Sequence, residues 1–116
     1  MAKARLPQQT ANVYVTKISA ECFFDRAIRF RPEDPNVHFM HAMYLHDRKR
    51  LAEARQSYAE ADRLGMTTAN FYYNYGLLLT DLKDYQSARE FAQKAYAGGF
   101  PLEGLRRRLT DAGFAQ

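Results

Sequence analysis

Shifted by 34 residues, the chain superposes on itself without a gap: Ala42 falls on Gly76, Leu45 on Leu79, Ala54 on Ala88 and Ala61 on Ala95. Between these small and apolar pairs, Leu51 falls on Tyr85, Gln56 on Glu90 and Gly65 on Gly99. A further 34 residues back from Ala54 and Ala61 lie Ala20 and Ala27, and Phe24 stands opposite Tyr58. A fixed period of this length means a stack of supersecondary units, each burying its apolar face on the next. The period therefore restricts the chain to a repeat architecture before any local propensity is weighed.

Within each unit the spacing predicts two helices and a polar turn. In the last unit the first helix runs from about Asn70 to Leu82, the turn is Lys83-Asp84, and the second helix runs from about Tyr85 to Ala97. Ala88, Phe91, Ala92 and Ala95 recur there at helical spacing and form one apolar stripe. The preceding unit repeats the scheme as Val37 to His46, a turn from Asp47 to Arg50, and Leu51 to Leu64. Gly65 and the Gly98-Gly99 pair stand where left-handed helix caps belong. Ala42, Gly76, Ala54 and Ala88 are small where the antiparallel helices of a hairpin approach most closely. The fold class that follows is all-α.

At this point the sequence resembles the tetratricopeptide repeat family. That family's pattern has a large residue at the fourth position, large then small at the seventh and eighth, and large at the eleventh. Ala follows at the twentieth, an aromatic at the twenty-fourth, Ala at the twenty-seventh and Pro at the thirty-second. Residues 69–101 carry it as Tyr72, Tyr75, Gly76, Leu79, Ala88, Ala92 and Ala95, with Asp84-Tyr85 opening the second helix. Residues 35–68 carry it as Ala42, Leu45, Ala54, Tyr58 and Ala61, with His38 and His41 at the two large positions. Residues 15–34 match only in the second half, as Ala20, Phe24, Ala27 and Pro32. The resemblance implies an α-solenoid of antiparallel helix hairpins, about 2.5 repeats long.

Both ends depart from the pattern. Pro7 would lie inside the first helix of a complete first repeat, and Ala4 and Gln8 give no packing pattern. The expected organisation is a disordered tail over 1–7 and a single domain over 8–116. That domain divides into a degenerate first repeat (8–34), two repeats (35–68 and 69–100) and a capping helix (101–114). The capping helix begins at Pro101 and sets Leu102, Leu105, Leu109 and Ala112 on one face against Arg106, Arg107 and Arg108 on the other.

The resemblance also implies a function: the first helices of successive repeats line a concave face that receives a partner polypeptide. The groove-facing positions are Asn36, Phe39, Met43, His46 and Asp47, then Asn70, Tyr73, Leu77, Thr80 and Asp81, with Asn74 beside them. Chaperone-tail binders of the family clamp a carboxylate with Lys and Asn at the fifth and ninth positions, where this chain has Phe39 and Met43. Only Asn74 remains as a clamp-like group, so the groove reads as apolar and aromatic. The competing expectation is that the same rings are covered by the chain's own N-terminal helix or by a second copy. A homodimeric assembly factor is one alternative role, since a stable stack needs roughly three repeats. A piece of a larger secretion or pilus-assembly lipoprotein is another.

Other chemistries find little to stand on. His38, His41 and His46 share one helix, but the first two occupy packing positions and zinc needs four close ligands. Cys22, the single cysteine, lies between Ala20 and Phe24 and reads as a small buried hydrophobe. No His has the context of a catalytic triad, and Gly98-Gly99-Phe100-Pro101 is a helix end followed by a start rather than a phosphate loop. The expectation is a protein that is not an enzyme and takes no cofactor or metal. The formal charge is +4 with pI ≈ 9.3. Apart from Arg48-Lys49-Arg50 and Arg106-Arg107-Arg108 the charges are interleaved, which disfavours a nucleic-acid footprint. No segment approaches the ~20 apolar residues of a membrane span. Lys3 and Arg5 precede no apolar run of a secretory signal. A lone cysteine fits a reducing compartment. The expected location is cytoplasmic, or periplasmic for a processed fragment.

Overall fold

The computed structural model describes residues 20–114. The expected tail over 1–7 and the start of the N-terminal helix lie outside those residues. Two compact units divide the chain between Glu33 and Asp34. In the first, residues 20–30 are helical (α1), with Phe23 edge-on to Phe24 at 5.3 Å and an exposed Arg29–Asp25 pair one turn apart.

The second unit holds α2 (Pro35–Asp47), α3 (Leu51–Arg63), α4 (Ala69–Asp81), α5 (Tyr85–Ala97) and α6 (Gly104–Asp111). Three of these starts have a local side-chain cause. The Asp34 side chain accepts from the Asn36 N–H ahead of Pro35, Thr68 Oγ1 accepts from the Phe71 N–H, and Asp84 accepts from the Ser87 N–H. The stops share one geometry. After α2 the Lys49 N–H bonds the His46 carbonyl and the Arg50 N–H bonds the Leu45 carbonyl, the double closure of a Schellman turn. The same pair of bonds recurs after α3, α4, α5 and α6. Gly65 and Gly99 take the left-handed residue at φ 95° and 83°, as their positions predict. Inside the hairpins the same place is held by lysines, Lys49 at φ 64° and Lys83 at φ 63°.

The hairpins are α2 with α3 and α4 with α5, and α4 also packs on α3 and α2. Ala42, Ala54, Ala88, Ala92 and Ala95 have no exposed surface, so the helices meet where the repeat places its small residues. The seam between hairpins is aromatic. Phe39 from α2, Tyr58 from α3, and Phe71 and Tyr75 from α4 form one buried group, with Tyr58 stacked on Tyr75 at 5.1 Å and Phe71 edge-on to Phe39 at 5.4 Å.

The last helix differs from the expectation of 101–114. It begins at Gly104, and Leu102 lies outside it and 57 % exposed. Phe100 stacks on Tyr73 at 4.3 Å, and the Tyr96 hydroxyl donates to the Leu102 carbonyl. These contacts hold the segment 101–103 out of the helix. The same hydroxyl accepts from the Arg106 N–H, supplying from α5 the cap that Glu103 does not provide. Leu105 and Leu109 are fully buried against the hairpin, as their spacing predicts. In the 34-residue register Leu105 falls on Phe71 and Leu109 on Tyr75. Accordingly α6 packs on α4 and α5 as α4 packs on α2 and α3. It takes the place that the first helix of a further repeat would take, with its apolar face on α4 and α5.

Candidate functional site

The face built by α2 and α4 holds the residues whose positions imply a groove, but it does not treat them alike. Phe39 and Tyr73, the two rings expected to be offered to a partner, are interior, at 6 % and 7 % exposure. Phe39 turns into the aromatic seam between hairpins, and Tyr73 lies under Phe100 and edge-on to Tyr96 at 6.4 Å. Neither ring is open contact area. A fifth-position ring here gains more by filling the gap to the next element than by facing water. Thr80 is buried too and returns its hydroxyl to the Gly76 carbonyl.

The other positions stay within reach. Asn36 and Asn70 are exposed, and Met43, His46, Asn74, Leu77 and Asp81 are half-buried. Asn74 donates from Nδ2 to both the backbone and side-chain oxygens of Asn70. At the far end of the helices, His46 Nε2 lies 2.6 Å from Asp81 Oδ2, while Arg108 of α6 donates to Asp81 Oδ1. Asp81 thus joins three first helices. Burial alone would raise its carboxyl, but the hydrogen bonds from His46 and Arg108 outweigh that and hold it below its ordinary value.

Between α2 and α4 lies a recess of about 270 Å³ lined by Met43, His46, Asp47, Lys49, Tyr58 and Asn74. Two of these, Lys49 and Tyr58, are not groove positions by resemblance. Lys49 is a turn residue, and its place at the rim depends on the left-handed backbone that ends α2. Tyr58 sits at a packing position, and the one available signal was a hydroxyl where phenylalanine would pack equally well.

The basic clusters are largely committed within the chain. Arg48 lies over the Tyr44 ring and Arg50 pairs with Glu53. Arg106 stacks over Tyr96 at 4.0 Å and pairs with Glu103, and Arg108 holds Asp81. The expected outward-facing row Arg106–Arg107–Arg108 is therefore split, because helix neighbours point in different directions and two of the three meet partners on α4 and α5. Among the described residues no group of three or more His, Cys, Asp or Glu could hold a metal ion. Nor is any helix there long and apolar enough to cross a membrane.

His41 carries a pH consequence. Burial pushes its imidazole below the ordinary 6.5, and Arg50 and His38 push the same way against an opposing Glu53. The unfolded chain therefore takes up this proton first as pH falls. The stabilising contribution is complete above 6.5 and is lost as pH drops from there through the lowered folded value. Thermal unfolding at stepped pH is expected to show a falling midpoint in that window, and His41→Gln is expected to flatten it. An unchanged slope in the variant would assign the effect elsewhere.

No curated protein matches the chain. Two family models, each described as tetratricopeptide repeat, match residues 18–67 and 69–97. The second match ends with α5 and the first spans the whole α2–α3 hairpin. With the 34-residue register, the paired helices and the alanines at their close approaches, these matches show that the chain belongs to the tetratricopeptide repeat family.

Proposed function

We propose that the protein is a non-catalytic interaction or scaffold module that binds a segment of a partner polypeptide along the face of α2 and α4. Tetratricopeptide repeats generally mediate protein–protein interaction or scaffolding. The observation that carries the reading for this chain is the open recess between those two helices, bordered by Met43 and Asn74 with Leu77 half-buried one turn along α4. The contacting residues are Asn36, Met43, His46, Asn70, Asn74, Leu77 and Asp81; Phe39 and Tyr73 shape the face from beneath. Flexible apolar side chains beside fixed amides give adaptable contact area with a few directional bonds.

A random peptide library panned on the protein, followed by titration of the enriched peptides, tests this. The expected result is perturbation of the Asn74 and Leu77 amide resonances, and at least ~10-fold weaker binding to Met43→Glu and Leu77→Glu at unchanged helicity. Peptides that bind both variants as well as wild type would remove the face from the account. Pairing of two copies is the second reading, supported by the exposed Phe23 and Phe30 of α1 and Met40 of α2. A mass in sedimentation that rises with concentration, and that Phe30→Glu abolishes, would favour it.

A further inference from the structure

We infer that the recess between α2 and α4 is a specificity pocket for a primary carboxamide, the side chain of a glutamine or asparagine in the bound segment. This rests on the peptide-binding reading above and names what that face selects. The pocket's floor is the key. Tyr58 has no exposed surface, and its buried hydroxyl has no hydrogen-bond partner. Tyr58 is rooted in α3, behind the α2–α4 face, and its ring is flanked by Phe39, Phe71 and Tyr75. Tyr58 is itself part of the lining of the recess. A buried hydroxyl left without a partner is costly and uncommon in native proteins. Phenylalanine would fill the same space without that cost.

The rest of the lining decides what the hydroxyl is for. Asn74 has spent both amide hydrogens on Asn70, so it offers its carbonyl oxygen. His46 engages Asp81 through Nε2. Asp47 and Lys49 add one charge of each sign. A floor donor beneath acceptor walls, with no net charge at the rim, suits a group that carries both an acceptor and a donor. A carboxamide does: its oxygen accepts from Tyr58 and its NH₂ donates to Asn74. A carboxylate would face the Asn74 oxygen and the Asp47 charge, and an ammonium would face Lys49. At about 270 Å³ the recess has room for one such side chain and the adjoining backbone. Access to the hydroxyl asks only that a lining side chain rotate, and Met43, unbranched and half-buried, has that freedom.

The test has two arms. In the first, N-acetyl-glutamine methylamide is titrated into the protein while the Asn74 side-chain amide and His46 ring resonances are followed, with the glutamate and methionine analogues as controls. Saturable shifts from the glutamine compound alone, weakened ~5- to 10-fold in Tyr58→Phe, are expected. Equal response to all three, or none to any, overturns the pocket. Because Tyr58→Phe removes only an unpartnered hydroxyl, it is expected to fold as well as wild type. Lys83→Gly, at the equivalent left-handed turn outside the recess, is expected to fold as well and to keep the glutamine preference. In the second arm, panned peptides are scored for Gln or Asn at one recurring position. Peptides that bind without that enrichment overturn the pocket and leave the peptide-binding reading intact. Glutamine-specific shifts with no peptide enriched would retain the pocket and remove the groove.

Discussion

Phe71→Ala is expected to destabilise the repeat unit by about 3–5 kcal/mol. Phe71 has no exposed surface, and its ring lies 5.4 Å from Phe39, 6.1 Å from Tyr58 and 5.7 Å from Tyr75. Those partners come from α2, α3 and α4, so one side chain closes the seam between the two hairpins. Truncation removes the transfer energy of the ring, leaves a cavity among stiff aromatic neighbours, and forfeits edge contacts worth ~0.5–1.5 kcal/mol a pair. A domain of this size is stable by only about 5–15 kcal/mol, so the variant forfeits a large part of it. Urea unfolding should show a lower midpoint with an unchanged slope, while Phe23→Ala, at a ring 55 % exposed, should move it by no more than ~0.5 kcal/mol. Equal effects at the two positions would contradict the assignment of Phe71 to the seam.

The second large effect lies at the junction of α4 and α6. Leu105 is fully buried, and a Cβ built on Gly76 would stand 2.5 Å from its Cδ2 and 3.5 Å from the Ala88 carbonyl oxygen. Gly76 therefore serves two approaches, one across its own hairpin and one to the closing helix. Leu105→Ala is expected to cost ~2–5 kcal/mol by cavity formation. Gly76→Ala alone is expected to cost ~1 kcal/mol, overlap with the leucine outweighing the better helix propensity of alanine. In the double variant the new methyl occupies room the leucine vacated, so the combined loss should fall short of the sum by ~1–2 kcal/mol. Simple additivity in a double-mutant cycle would mean that α6 does not rest on Gly76.

Much of this architecture was legible in the chain. The alanine and glycine positions of the period mark the close approaches, and Asp84-Tyr85 marks where α5 begins. The expected helix from Tyr85 to Ala97 coincides with α5, and the other boundaries in the two repeats fall within two residues of those observed. These features are local or strictly periodic, so each residue carries its own share of the information. The candidate site was less legible. Position in the repeat placed Phe39 and Tyr73 on a binding face, yet their rings are covered by Phe71, from the first helix of the next hairpin, and by Phe100, beyond α5.

By itself the sequence determined that the chain is a stack of helix hairpins, because a gap-free period sets which residues can be small, which must be buried and where each turn falls. Only the tertiary structure decided which side chains of the shared face remain available. It brought Arg108 to Asp81, moved the start of the last helix by way of the Tyr96 hydroxyl, and left the buried Tyr58 hydroxyl without a hydrogen-bond partner. The reason is physical: periodicity specifies the direction a side chain leaves its helix, whereas coverage depends on what a distant element brings to meet it.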